Sequence, residues 1–161
     1  MNKKNIVLGV TAGVVSAIVG IVIKKKTTRQ KKRKYLNKID EIVDGLIDDG
    51  NVNTMLDELI FSKECRMLIK ALLLTQMELF DADCPDLGGL SDDLYYLDIC
   101  ENGRRAKELV GDLCTLLEDE DEDSFAAELL RDLLQKANDR QIMEVIHYSH
   151  TAIKNRQNLG H

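Results

Sequence analysis

The sequence predicts an all-α protein: a single N-terminal transmembrane helix followed by a cytoplasmic bundle of about six to seven short amphipathic helices. Three observations carry that expectation. Ile6 to Ile23 is a run of eighteen uncharged, mostly apolar residues (IVLGVTAGVVSAIVGIVI). The segment after it, Lys24 to Lys34 (KKKTTRQKKRK), holds eight positive charges in eleven residues. From Tyr35 onward apolar residues recur at helical spacing almost to the C-terminus. The chain therefore divides into a translocated tail (1–5), an anchor (6–23), a basic juxtamembrane segment (24–34), an acidic helical domain (35–155) and a frayed tail (156–161).

At a rise of about 1.5 Å per residue the apolar run reaches about 27 Å, close to the ~30 Å hydrocarbon core of a bilayer. It is longer than the apolar stretch of a cleaved secretory signal, and its small pair Ser16–Ala17 lies inside the run rather than at an exit site. The excess of Lys and Arg on its C-terminal side, against Lys3 and Lys4 before it, keeps the C-terminal domain in the cytoplasm and the N-terminus outside. Small residues fall at Gly9, Gly13 and Ala17, and on a second face at Ala12, Ser16 and Gly20. Spacing by four stacks each set on one side of a helix, where close backbone approach can drive association; equally, glycine and alanine are common in such helices.

Charge is distributed unevenly. The chain has a net charge of −6, yet all 28 acidic residues lie after Lys34, against 12 Lys and Arg there, so the domain carries −16 and the segment before it is basic. Lys24, Lys25, Lys26, Arg29, Lys31, Lys32, Arg33 and Lys34 are expected to contact anionic lipid, each worth about 1 kcal/mol near such a surface, or to serve only as topology signals. Nucleic acid is not expected as a partner: no aromatic residue interrupts the basic stretch to stack on bases, and the acidic domain repels a phosphate backbone. A basic protein partner suits the domain's field, as does simple solubility. Cys65, Cys84, Cys100 and Cys114 are separated by 18, 15 and 13 residues, with no C-x-x-C pair to hold zinc or form a redox centre. Cys65 and Cys114 fall on apolar faces and read as core, while Cys84 beside Pro85 is the expected reactive thiol.

Along the domain, Leu36, Ile39, Val43, Leu46 and Ile47 form the first stripe, continuous with the basic stretch and ended by Gly50–Asn51. Asn53 caps a second helix with Leu56, Leu59 and Ile60, ending near Phe61 or Ser62. Cys65 to Phe80 is the most apolar segment, covered on one side by Leu68, Ile69, Leu72, Leu73 and Phe80 and on the other by Met67, Ala71 and Leu74, so it is expected at the centre. Arg66, Lys70 and Glu78 argue against a second membrane span. Asp81 to Gly89 (DADCPDLGG) reads as a loop. Ser91 is expected to cap the next helix with Asp92 and Asp93 in its first turn and Leu94, Leu97 and Tyr95 inward. Beyond Asn102–Gly103 a stripe runs through Ala106, Leu109, Val110, Leu113, Cys114 and Leu117, with Gly111 as a candidate close-packing point. Glu118 to Asp123 (EDEDED) is an exposed linker or helix end. Ser124 then caps a helix with Phe125, Leu129, Leu130, Leu133 and Leu134. Asp139 caps the last, with Ile142, Val145, Ile146, Ser149, Ala152 and Ile153 inward.

Motifs for chemistry are sparse. Neither acidic stretch has the ligand spacing of a calcium loop, and there is no G-x-S-x-G or phosphate-binding glycine loop. Glu144 and His147 form one Glu-x-x-His unit, with His150 a turn further on. Di-metal bundles need that unit twice with added glutamates, so these three are weak metal candidates and the expectation is no metal, cofactor or catalytic residue. The function expected is that of a membrane-anchored adaptor or scaffold whose acidic domain binds an unidentified protein. The alternatives are a homo-oligomer assembled through the membrane helix into a pore, lysis or toxin-type lesion, and a small subunit of a membrane complex.

Overall fold

Six helices account for nearly all of the structure, a computed structural model that describes residues 29–48, 59–80, 86–100 and 102–159. They are α1 (Arg29–Asp48), α2 (Leu59–Phe80), α3 (Leu87–Asp98), α4 (Gly103–Glu120), α5 (Phe125–Lys136) and α6 (Asp139–Leu159). Among the described residues there is no strand, and no helix is long and apolar enough to cross a membrane. The run Ile6–Ile23, with its small-residue faces Gly9, Gly13, Ala17 and Ala12, Ser16, Gly20, lies outside the described residues, as do Lys24, Lys25 and Lys26.

Polar contacts fix the direction of each helix. Arg66 pairs with Asp44 and Lys70 with Asp40, so α1 and α2 are antiparallel. Ser91 reaches Gln157 while Asp98 reaches His147 and His150, which sets α3 against α6 in the same sense. Lys107 Nζ donates to the Ala137 carbonyl at 3.0 Å and Cys114 lies against Ala127, so α4 and α5 are antiparallel too. The chain therefore alternates up and down through all six helices. The start of α1, the end of α2, the start of α3, the α4–α5 turn and the end of α6 share one end of the bundle, called the base below.

The core is built around α2. Leu68, Ile69, Ala71, Leu72, Leu73, Leu74 and Met77 are all fully buried, and Cys65, Met67 and Leu79 nearly so. Burial around so much of the circumference follows from neighbours on several sides: α5 packs most extensively on α2, and α1 and α6 flank it. α1 presents Ile39, Val43 and Leu46 inward, in line with its stripe, and adds Tyr35, while Leu36 is only partly buried. On α5 the buried face is Ala126, Ala127, Leu130 and Leu133, with Phe125, Leu129 and Leu134 at its edges. The two alanines allow close approach of α5 to its neighbours.

Several boundaries differ from the sequence expectation, each for a local reason. α2 runs without a break from Leu59, because Ser62–Lys63–Glu64 contains no glycine or proline to stop it. The α3 helix starts at Leu87, not Ser91. Asp86 is its N-cap, its Oδ1 accepting from Gly88 N at 2.9 Å. Gln76 of α2 secures that cap from both sides, accepting from Asp86 N at 3.2 Å and donating to Asp86 O at 3.3 Å. Ser91 is consequently interior to α3, Asp93 is buried, and Tyr95 is 49% exposed instead of inward. The cap of α6 is Asn138, in a reciprocal capping box with Gln141, each backbone N–H donating to the other's side-chain oxygen at 3.0 Å; Asp139 is the first helical residue. α6 continues past Asn155 to Leu159. Asn102 caps α4 and Ser124 caps α5, the latter as its sequence predicts.

Candidate functional site

The side chains singled out on the last helix come together with a residue that sequence reasoning did not connect to them. His147 and His150 lie one turn apart on α6, and both face Asp98 at the last turn of α3. His147 Nδ1 is 3.1 Å from Asp98 Oδ1 and His150 Nδ1 is 2.9 Å from Asp98 Oδ2. A carboxylate only accepts, so each imidazole donates its Nδ1–H. One carboxylate thus clasps two histidines and pins α3 to α6. Tyr95 stands edge-on to His150 with centroids 5.9 Å apart, and Tyr148 does the same to His147 at 5.9 Å. His147 is exposed, whereas His150 is largely covered.

Both Nδ1 atoms of the clasp are engaged by Asp98. Glu144 is turned away to Arg140, whose Nε donates to Glu144 Oε1 at 2.8 Å. Among the described residues no group of three or more His, Cys, Asp or Glu side chains is arranged to hold a metal ion. The thiols do not combine with these histidines either. Cys65 is buried in the core with its Sγ 3.7 Å from the Val145 carbonyl, and burial pushes its thiol up to about 11. Cys114 sits 3.1 Å from Glu118 Oε1, and burial, then the bond to that carboxylate, raise it to about 11. Burial also raises Cys100. Cys65 and Cys114 are buried as their faces predict; Cys84 lies outside the described residues.

Two exposed apolar side chains extend the neighbourhood of the clasp. Tyr95 and Ile99, at i and i+4 on the outer face of α3 and its C-cap, are 49% and 54% exposed. They stand in the half of α3 distant from the base. At the base itself, Arg33 and Lys34 of the basic segment are exposed on α1, and Phe80 is exposed at the end of α2.

A second polar arrangement joins α2 to α5. Glu78 accepts from Ser124 Oγ at 2.6 Å and from Phe125 N at 3.0 Å, while Ser124 Oγ accepts from Ala127 N at 3.0 Å. In sequence Glu78 reads only as an interruption of an apolar helix. In the fold it is a second cap, placing a carboxylate at the positive N-terminus of α5.

Together these features define, among the described residues, an alternating bundle of six helices with an imidazole–carboxylate clasp at its surface. In comparisons with known proteins, no family model matches the chain, and no curated protein or solved structure matches it significantly.

Proposed function

We propose that the chain is a single-pass membrane-tethered interaction module, with Ile6–Ile23 as anchor, the N-terminus outside and the acidic bundle in the cytoplasm. The observation that supports this reading most directly is α1. It carries the second half of the basic segment, Arg29–Lys34, in the same helix as the core residues Tyr35, Ile39, Val43 and Leu46. A helix without a break gives a stiff connection between the segment next to the apolar run and the body of the bundle. The base is then the membrane-proximal end. Lys24, Lys25, Lys26, Arg29, Lys31, Lys32, Arg33 and Lys34 meet anionic headgroups there.

In this arrangement Tyr95 and Ile99 stand away from the base and form the apolar centre of the surface offered to a protein partner, with aromatic and aliphatic side chains of the kind that dominate binding energy. Tethering raises the partner's encounter frequency without new contacts. No catalytic residue, metal, cofactor or nucleic acid is part of this proposal.

The test is proximity labelling in membranes with three chains: the native one, one carrying an unrelated anchor, and a Tyr95→Ser/Ile99→Ser variant. The module reading expects one protein partner shared by the first two and lost from the third. A partner recovered only with the native anchor would move recognition to the membrane helix, and with it the function to an oligomeric lesion or a membrane-complex subunit.

A further inference from the structure

The α3–α4 turn carries the chain's single Asn-Gly pair, Asn102–Gly103, and packing fixes both members. Asn102 is the N-cap of α4: its Oδ1 accepts from Arg105 N at 3.0 Å and its carbonyl accepts from Ala106 N at 3.3 Å. Gly103, the first helical residue, lies so close to the start of α6 that a Cβ would stand 2.0 Å from the Asp139 carbonyl oxygen. Any larger residue would push two backbones apart. Lys107 ties the same turn of α4 to the α5–α6 connection, reaching the Ala137 carbonyl at 3.0 Å and Asp139 at 3.6 Å.

The pair that the fold demands is also a reactive one. A side chain on the following residue hinders ring closure between an asparagine carboxamide and the next backbone nitrogen, and glycine has none. Asn102 is exposed to water, and the Gly103 N–H, at the first position of the helix, has no acceptor within it. Helix ends open locally far more often than a domain unfolds, and each opening frees Asn102 ψ from its extended value of 158°. The other described asparagines, Asn37, Asn138, Asn155 and Asn158, precede Lys38, Asp139, Arg156 and Leu159.

We propose that Asn102 is a site of spontaneous covalent modification whose two products act oppositely on the junction between α4 and α6. The Gly103 nitrogen gives its proton to solvent base and bonds to Asn102 Cγ; the carboxamide C–N bond breaks, ammonia leaves, and a succinimide remains. Water then opens the ring. Cleavage between the nitrogen and Cγ gives aspartate, and cleavage between the nitrogen and the original main-chain carbonyl gives isoaspartate. One water is consumed and one ammonia released, with no change of oxidation state. Aspartate keeps the cap acceptor and adds a negative charge at the helix N-terminus, where it is favourable. Isoaspartate routes the main chain through the side chain and lengthens it by one carbon. It displaces the oxygens that serve Arg105 N and Ala106 N, beside a glycine with no room against Asp139. The first product retains the junction and the second loosens it. This inference stands independently of the membrane-tether reading.

The experiment ages the full chain in nanodiscs in mildly alkaline buffer and follows it by peptide mass spectrometry, with isoaspartate identified by its enzymatic methylation. Asn102 is expected to lose its amide about tenfold faster than Asn37, Asn138, Asn155 or Asn158. In the isoaspartate fraction, amide hydrogen exchange over 103–108 is expected to rise about tenfold while α2 keeps its protection. Asn102→Asp, equivalent to the other product, is expected to exchange like the unaged chain. Asn102→Ser, which retains a cap oxygen without a carboxamide, is expected to age with no change in α4. An amide at Asn102 that outlasts the other four overturns the proposal. So does an isoaspartate fraction that exchanges like the unaged chain, or a loss of α4 protection that Asn102→Ser shares.

Discussion

At the scale of single residues, two helical glycines make opposite predictions. A Cβ on Gly103, the first residue of α4, would sit 2.0 Å from the Asp139 carbonyl oxygen, which belongs to the backbone of α6 and cannot step aside. Gly103→Ala is expected to cost about 3 kcal/mol of unfolding free energy, at the upper end of overpacking effects. A Cβ on Gly111, by contrast, meets nothing within 4 Å, so Gly111 is not the close-packing point that its place in the stripe suggests. Gly111→Ala is expected to stabilise by about 0.5–1 kcal/mol through helix propensity alone. Urea denaturation of the pair checks both signs. The thiols add a kinetic prediction: with Cys65 and Cys114 raised to about 11 by burial, both remain protonated at pH 8, and a disulfide reagent should label them only on unfolding.

At the scale of the element, α5 depends on a residue outside it. Its own cap, Ser124, satisfies Ala127 N, but Phe125 N is bonded by Glu78 of α2. Glu78→Ala leaves that donor and the Ser124 hydroxyl short of a partner and removes a negative charge from the helix N-terminus. A loss of about 1–3 kcal/mol is expected, measured by thermal or chemical unfolding. Glu78→Gln, which retains an acceptor, should recover part of it. α3 shows the same dependence: Gln76 of α2 supports the Asp86 cap, which is why the helix begins four residues before Ser91. Packing of Leu90, Leu94 and Leu97 carries Asp93 inward and leaves Tyr95 outward.

At the scale of the whole molecule, stability concentrates in α2, since its buried side chains meet α1, α5 and α6 at once. Leu73→Ala, at a fully buried position, is expected to cost about 2–5 kcal/mol and to unfold the bundle cooperatively. An equally large truncation at exposed Ile99 should leave unfolding nearly unchanged. Circular dichroism during urea titration of both variants measures the difference. The alternating topology also gathers the acidic α4–α5 turn at the same end as the basic start of α1, an arrangement invisible in the net charge.

By itself the sequence determined what depends on near neighbours in the chain. Helical class, the stripes of α1, α4 and α6, the central role of α2, the Ser124 cap and the burial of Cys65 and Cys114 all follow from apolar spacing and capping chemistry, because a helix repeats its faces every few residues. What crosses between helices was decided by tertiary structure. Glu78, Gln76 and Asp98 act on partners 10 to 52 residues away, and no local pattern marks them. His147 and His150 were legible as a pair on one face, but the carboxylate that joins them lies on another helix, so no local pattern marks the clasp. Asp93 shows the same limit from the other side: in sequence it is a favourable acid near a helix start, and in the fold it lies on the buried face with Leu90, Leu94 and Leu97. Periodicity is a property of the chain; counter-charges, caps supplied from outside and desolvation are properties of packing.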